Sequence, residues 1–247
     1  MTAVQKLLMA SGGGVLFDPL ADIGWFDAFW AGDPDWSNPG DGNNISTLRG
    51  VGTDGTDWSV VTPNAACTFD EVVASGFNSQ PAIRFASPAT RALAPKATFG
   101  STITETWSVV AIGKRDSVGV NYFIDGLTGG TRAILSAAAA DAAAKFRFYT
   151  AANTTSAVTQ DTAVHLHVGV SPSSGNNQYQ IDNGTADTAS VNAVSLTGSH
   201  IGIAQTDSVG LDGVLALVGY YSGDVRNDPG WSDFLVWAAA TYGISIA

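Results

Sequence analysis

Trp107-Ser108-Val109-Val110-Ala111-Ile112 is the stretch on which the reading of this sequence turns. It is apolar, β-branched and short, which fits a buried β-strand better than a helix. Working outward, the same kind of segment recurs on both sides. Upstream lie short apolar runs at 15–17, 23–30, 58–61, 67–73 and 82–85, and a weaker one at 45–48. Downstream lie 122–124, 133–136, 146–149, 164–170, 178–181, 200–204 and 211–220. Turn-forming pairs separate them, among them Asp125-Gly126, Gly129-Gly130, Asn183-Gly184 and Asp212-Gly213. Roughly a dozen short strands with no alternating helices predict an all-β sandwich of two antiparallel sheets. Residues 137–144 (AAAADAAA) have helical propensity but are too few for a stable helix, and read as loop or strand extension.

Composition supports this. The chain has 247 residues, 22 acidic and 11 basic, for a net charge of −11. Only Glu71 and Glu105 are glutamates, and only Lys6, Lys96, Lys114 and Lys145 are lysines. A sequence nearly without the residues that coat exposed helices is not helical. Its charge has the wrong sign for binding nucleic acid through phosphates. No apolar run reaches the length of a membrane-spanning helix, so neither nucleic acid nor membrane insertion is expected. The single cysteine, Cys67, excludes an internal disulfide and reads as an inert small hydrophobe.

The two ends differ from the body. Residues 1–14 read as an N-terminal extended arm with a glycine joint at 12–14, and 15–247 as one domain. No signal peptide is recognised in the arm. Residues 228–244 read as an amphipathic C-terminal helix, with Trp231, Phe234, Leu235, Ala238 and Tyr242 on one face and Gly243 as its stop.

Several segments, in this order, resemble the concanavalin A-like jelly-roll domains of the laminin-G-like group, in particular those of bacteriophage structural proteins. They are Gly24-Trp25-Phe26-Asp27-Ala28 with Asp33, the strand from Phe77 through Asn78-Ser79-Gln80-Pro81 to Phe85, and the 107–112 strand. Further on come Gln178 to Gly184, His200-Ile201-Gly202-Ile203, Leu211 to Tyr220 and the closing helix. The resemblance implies a two-sheet antiparallel jelly roll with a short C-terminal helix. It also implies a structural protein of a virion, either a minor tail or a capsid-decorating protein. On this reading the chain is attached through its arm to other virion proteins in a homo-oligomeric or multi-copy assembly, put together in the host cytoplasm. The alternative is a carbohydrate-binding adhesion module that contacts host-surface glycan.

Enzymes of this fold hydrolyse glycosides with two carboxylates about 5–5.5 Å apart when retaining. Glu71 and Glu105 are far apart in sequence, and Asp70 beside Glu71 points to the opposite face of a strand. The expectation is therefore a chain that is not an enzyme. Carbohydrate would stack on exposed aromatics. Trp36 in its polar loop is the first candidate, with Tyr122, Tyr149 and Tyr221 behind it, while the other six tryptophans read as core. No cofactor is expected. Calcium is the one metal the sequence suggests, through Asp33, Asp35 and Asp41, although their loop lacks the EF-hand order. His165 and His167 share a strand face and could join His200 as metal ligands. The reading preferred over that turns Val164, Leu166 and Val168 inward and leaves both histidines to solvent or a neighbouring strand.

Overall fold

The computed structural model describes residues 17–60, 67–73, 76–85, 95–104, 106–117, 121–127, 133–137, 145–150, 153–190, 194–202 and 210–247. The arm, Glu105 and residues 138–144 lie outside the described residues.

The strands are β1 (Asp27–Trp30), β2 (Thr47–Leu48), β3 (Trp58–Val60), β4 (Cys67–Asp70), β5 (Ala82–Phe85), β6 (Pro95–Ile103), β7 (Trp107–Arg115) and β8 (Asn121–Leu127). Then come β9 (Ala133–Ala137), β10 (Lys145–Thr150), β11 (Asn153–Thr159), β12 (His165–Ser171), β13 (Asn176–Ile181), β14 (Asp187–Ser190), β15 (Leu196–Ile201) and β16 (Gly213–Ser222). A helix, α1 (Trp231–Tyr242), follows a single 3-10 turn. Among the described residues no helix is long and apolar enough to cross a membrane.

The strands form an all-β antiparallel sandwich of jelly-roll type. The first sheet runs β14-β13-β12-β7-β16-β5-β4, with β1 sharing the β5 side of β16. The second runs β11-β10-β9-β8-β15-β6-β3-β2. The margins are stitched together. Asp187 on β14 accepts the Ala157 amide of β11 at 2.8 Å, and the Ile45 amide reaches the Cys67 carbonyl at 3.1 Å.

The opening stretch explains itself in this frame. All nine residues of β7 are buried. Trp107, Val109 and Ala111 fill the core between the sheets, while Val110 and Ile112 enter a second core on the outer side of the first sheet. A strand covered on both faces has no polar alternation to show. In β16 the register shifts between Leu215 and Leu217, and this bulge sends both Ala216 and Leu217 into the second core.

The second core exists because α1 lies on the first sheet. Trp231, Phe234, Trp237, Ala238 and Tyr242 bury one side of the helix among Trp25, Trp30, Val110, Val168 and Val214. Tyr242 Oη accepts the Trp30 indole N–H at 2.8 Å. The helix stops as the sequence predicts: Gly243 takes φ 72°, and its amide bonds to Ala239.

One expectation inverts. His165 and His167 point into the inter-sheet core, His167 lying 4.8 Å from the Phe123 ring and 5.1 Å from the Phe146 ring. Val164, Leu166 and Val168 face the second core under the helix. The sequence reading assumed one buried face on this strand, and there are two. His200 lies on the other sheet, so the three histidines do not gather.

Candidate functional site

The two broad outer faces of the sandwich are unlike. That of the first sheet is closed by α1. That of the second carries no helix among the described residues and is lined by polar and aromatic side chains.

The alternation Lys145-Phe146-Arg147-Phe148-Tyr149 sets it up. Phe146 and Phe148 enter the inter-sheet core, which turns Arg147 and Tyr149 outward. Cross-strand register then extends the row: Tyr122 of β8 faces Ser136 of β9, which faces Arg147, which faces Thr155 of β11. A register shift after Tyr122 lets both Phe123 and Ile124 point inward while Tyr122 stays outside. A second row runs from His200 of β15 to Asp125, Ile134 and Tyr149. Neighbouring strands are about 4.8 Å apart and the two rows about 7 Å, so these residues span a patch roughly 15–20 Å across. Tyr122, Arg147, Tyr149 and His200 are half-buried, whereas Ser136 and Asp125 are buried, Asp125 completely. Such a face offers ring surfaces and hydrogen-bonding groups together, as a sugar requires.

A second polar cluster sits at one end of the sandwich. A tight turn places Asp182 and Asn183 at φ 51° and 59°, closed by the Gly184 amide on the Ile181 carbonyl. Asp182 Oδ2 lies 2.6 Å from His165 Nδ1, and Asp161 Oδ1 lies 2.9 Å from His165 Nε2. Burial opposes a charge on this ring, but hydrogen bonds to Asp182 and then Asp161 outweigh it and raise the His165 pKa. With a carboxylate on each nitrogen, the imidazolium donates both N–H groups. His167 is held well below its ordinary range by burial, then by His165 and Arg115. Arg115 donates to the Asp161 carbonyl and to Gln160, which fixes the loop that carries Asp161.

The candidate residues from the sequence separate in space. Tyr122 and Tyr149 share the outer face of the second sheet. Trp36 does not belong with them: it is 8% exposed, edge-on to Phe69, and its indole donates to the Thr47 carbonyl at 3.0 Å. A polar loop that folds back on the core has carried its tryptophan inside, which leaves no ring face for a sugar. Tyr221 is half-buried against the second core, on the other sheet. All seven tryptophans are buried.

Asp33, Asp35 and Asp41 do not converge either. Asp33 pairs with Arg49 at 2.6 Å and accepts the Asp35 amide, Asp35 is exposed, and Asp41 accepts the Glu71 amide. These are turn-making carboxylates. Among the described residues no three histidine, cysteine, aspartate or glutamate side chains form a metal-holding group. Burial pushes the Cys67 thiol up to about 12, which keeps it unreactive.

Ser136 and Arg147 were not singled out from the sequence. The polar-apolar alternation of 145–149 could have exposed Arg147, but Ser136 is found only through register.

No protein-family model matches the chain, and no curated protein matches it in sequence. Solved structures do match. A mutant GH54 α-L-arabinofuranosidase, soaked with 4-nitrophenyl α-L-arabinofuranoside, is 12% identical with a TM-score of 0.56, over 92% of this chain and 61% of that one. Trypanosoma rangeli sialidase, in complex with 2,3-difluorosialic acid, is 12% identical with a TM-score of 0.51, over 92% of this chain and 35% of that one. The likeness is one of fold. This chain thus spans less than two thirds of either protein. The expectation of a chain apart from enzymes is corrected by these neighbours, which are glycosidases: the missing glutamate pair does not separate this chain from them in fold. Neither name is that of a virion protein, so the phage role implied by the sequence resemblance gains no support from them.

Proposed function

We propose that the chain binds carbohydrate on the outer face of its second sheet. Tyr122 and Tyr149 would supply stacking surfaces, and the half-buried Arg147 and His200 polar contacts. The observation that carries this reading is the cross-strand register, which sets the two half-buried tyrosines on one face of the second sheet around Ser136 and Arg147. The fold shared with an arabinofuranosidase and a sialidase supports the same ligand class. The glycan half of the sequence expectation thus moves from the Trp36 loop to a sheet face.

The test is a glycan array with the purified chain, followed by calorimetry on the best ligand. Binding that weakens about tenfold or more in both Tyr122→Ala and Tyr149→Ala supports the site, since losing an aromatic stacking partner costs on the order of 1 kcal/mol or more. Binding that both variants leave intact would move the site elsewhere. Binding to no glycan would overturn the reading.

A further inference from the structure

At the end away from His165, the core between the sheets finishes in polar side chains. Ring contacts fix how they meet. Across the sandwich β10 and β12 run in the same direction: Phe146 lies 5.1 Å from the His167 ring, and Phe148 lies so close over Gly169 that a Cβ there would sit 2.7 Å from its ring. Two residues further along, the same side of β10 presents Thr150 and the same side of β12 presents Ser171. Ser171 pairs with Trp107 of β7, and the next rung of the register that joins Val170 to Gln178 sets Asn177 of β13 on its other side. Thr150, Ser171 and Asn177 therefore share one layer, and all three are completely buried.

The hydrogen bonds of this layer do not close within the chain. Asn177 Nδ2 donates to Thr150 Oγ1, which leaves the hydroxyl proton of Thr150 still to be placed. Asn177 Oδ1 and Ser171 Oγ have no hydrogen-bond partner. Thr154 Oγ1, on β11 beside Phe148, has none either. The Trp107 indole cannot serve them, because its N–H donates to the Val194 carbonyl at 2.6 Å. A buried polar atom without a partner costs more than a typical hydrogen bond gains. Native interiors meet such groups with ordered water, which makes about three hydrogen bonds.

We propose that Thr150, Ser171 and Asn177 bind one internal water molecule that joins the two sheets. The water donates to Asn177 Oδ1, accepts the Thr150 hydroxyl proton and shares a hydrogen bond with Ser171 Oγ, a full set of about three. None of the three side chains is charged, which suits water and not a metal ion or an anion. Ser171 is the shortest side chain of its row, between Trp107 and Asn177, and the water stands over it. Thr150 belongs to the second sheet, and Ser171 and Asn177 to the first, so the bridge crosses the sandwich.

The experiment counts long-lived internal water by oxygen-17 relaxation dispersion in the intact chain and in Ser171→Val, and follows the melting of both and of Ser171→Ala by calorimetry. Oxygen-17 reports the water itself and not exchanging hydroxyl protons. Ser171→Val fills the place of the water and should remove one long-lived molecule from the wild-type count. An equal count in the two proteins overturns the site. Ser171→Ala withdraws one partner from the water and should lower the melting temperature by about 2–4 °C. Were the layer dry, the same change would delete an unpartnered buried hydroxyl and raise the melting temperature. An unchanged or higher value therefore overturns the proposal. Should Ser171→Val fail to fold, the Ser171→Ala melt and the wild-type count decide: no long-lived water in wild type overturns the site.

Discussion

The outer face of the first sheet and the outer face of the second belong to one sandwich and differ in nearly everything else. The first is packed with Val110, Ile112, Val168, Val170 and Val214 and covered by a helix rich in aromatics. The second carries the half-buried Tyr122, Arg147, His200 and Tyr149 around the buried Ser136 and Asp125, with no helix on it among the described residues. Both are antiparallel and of eight strands. What separates them is the residue type at the outward positions. Apolar ones recruit a helix as cover, and polar ones keep half-buried tyrosine, arginine and histidine side chains on the outward side.

The strongest way to break this contrast is to damage the cover. Phe234→Ala removes a completely buried ring from the helix and should cost about 3–5 kcal/mol, lowering the melting temperature by roughly 10 °C in calorimetry. Glycan affinity of the folded fraction should stay unchanged. A parallel loss of affinity would show that the two faces are coupled.

His165→Ala probes the end of the sandwich, away from both faces. At pH 6 it should cost on the order of 2–3 kcal/mol, through hydrogen bonds from a charged ring to Asp161 and Asp182. The sign with pH follows from the raised pKa. The stabilisation is full below the unfolded value near 6.5 and is lost as pH rises through the folded value. Denaturant melts from pH 5 to 9 should therefore show wild type and variant converging at the alkaline end. A constant gap would mean that the ring acts by packing alone.

Tyr149→Ala sharpens the contrast from the other side. It should weaken glycan binding about tenfold, close to 1.4 kcal/mol, with less effect on stability than Phe234→Ala. The smallest effect belongs to Trp36→Phe. It removes the bond to the Thr47 carbonyl and should cost about 1 kcal/mol of stability with binding unchanged. A binding defect in this variant would return the site to the loop.

Much of the fold was legible because apolar β-branched runs survive any register. β5 was read with its observed limits, and the 107–112 run fell within the longer β7. What was missed had a physical cause. β11 and β14 consist of Asn, Thr, Ser, Ala, Val and Asp, and as edge strands they bury too few side chains to leave an apolar signature. β6, with Pro95, Lys96, Gly100 and a run of hydroxyl residues, reads as loop, yet it pairs with β15 and β3. The candidate site was half legible. Tyr122 and Tyr149 could be named from residue type. That they share a face with Ser136 between them depends on pairing across three strands, which no local pattern encodes. Trp36 failed for the converse reason: the polarity of its loop said nothing about the direction in which the loop folds.

The burial of β7 and β16 on both faces also sets how this molecule breathes. Nine consecutive residues of β7 and eight of β16 are closed off from solvent, and each strand is paired on both sides. Their amides have no local opening through which to exchange with deuterated water. Val110 and Val218 should thus exchange last, at a rate set by unfolding of the whole sandwich, while edge amides of β11 and β14 exchange by fraying. A pair of valines in the middle of one sheet becomes an internal gauge of the stability of the entire chain.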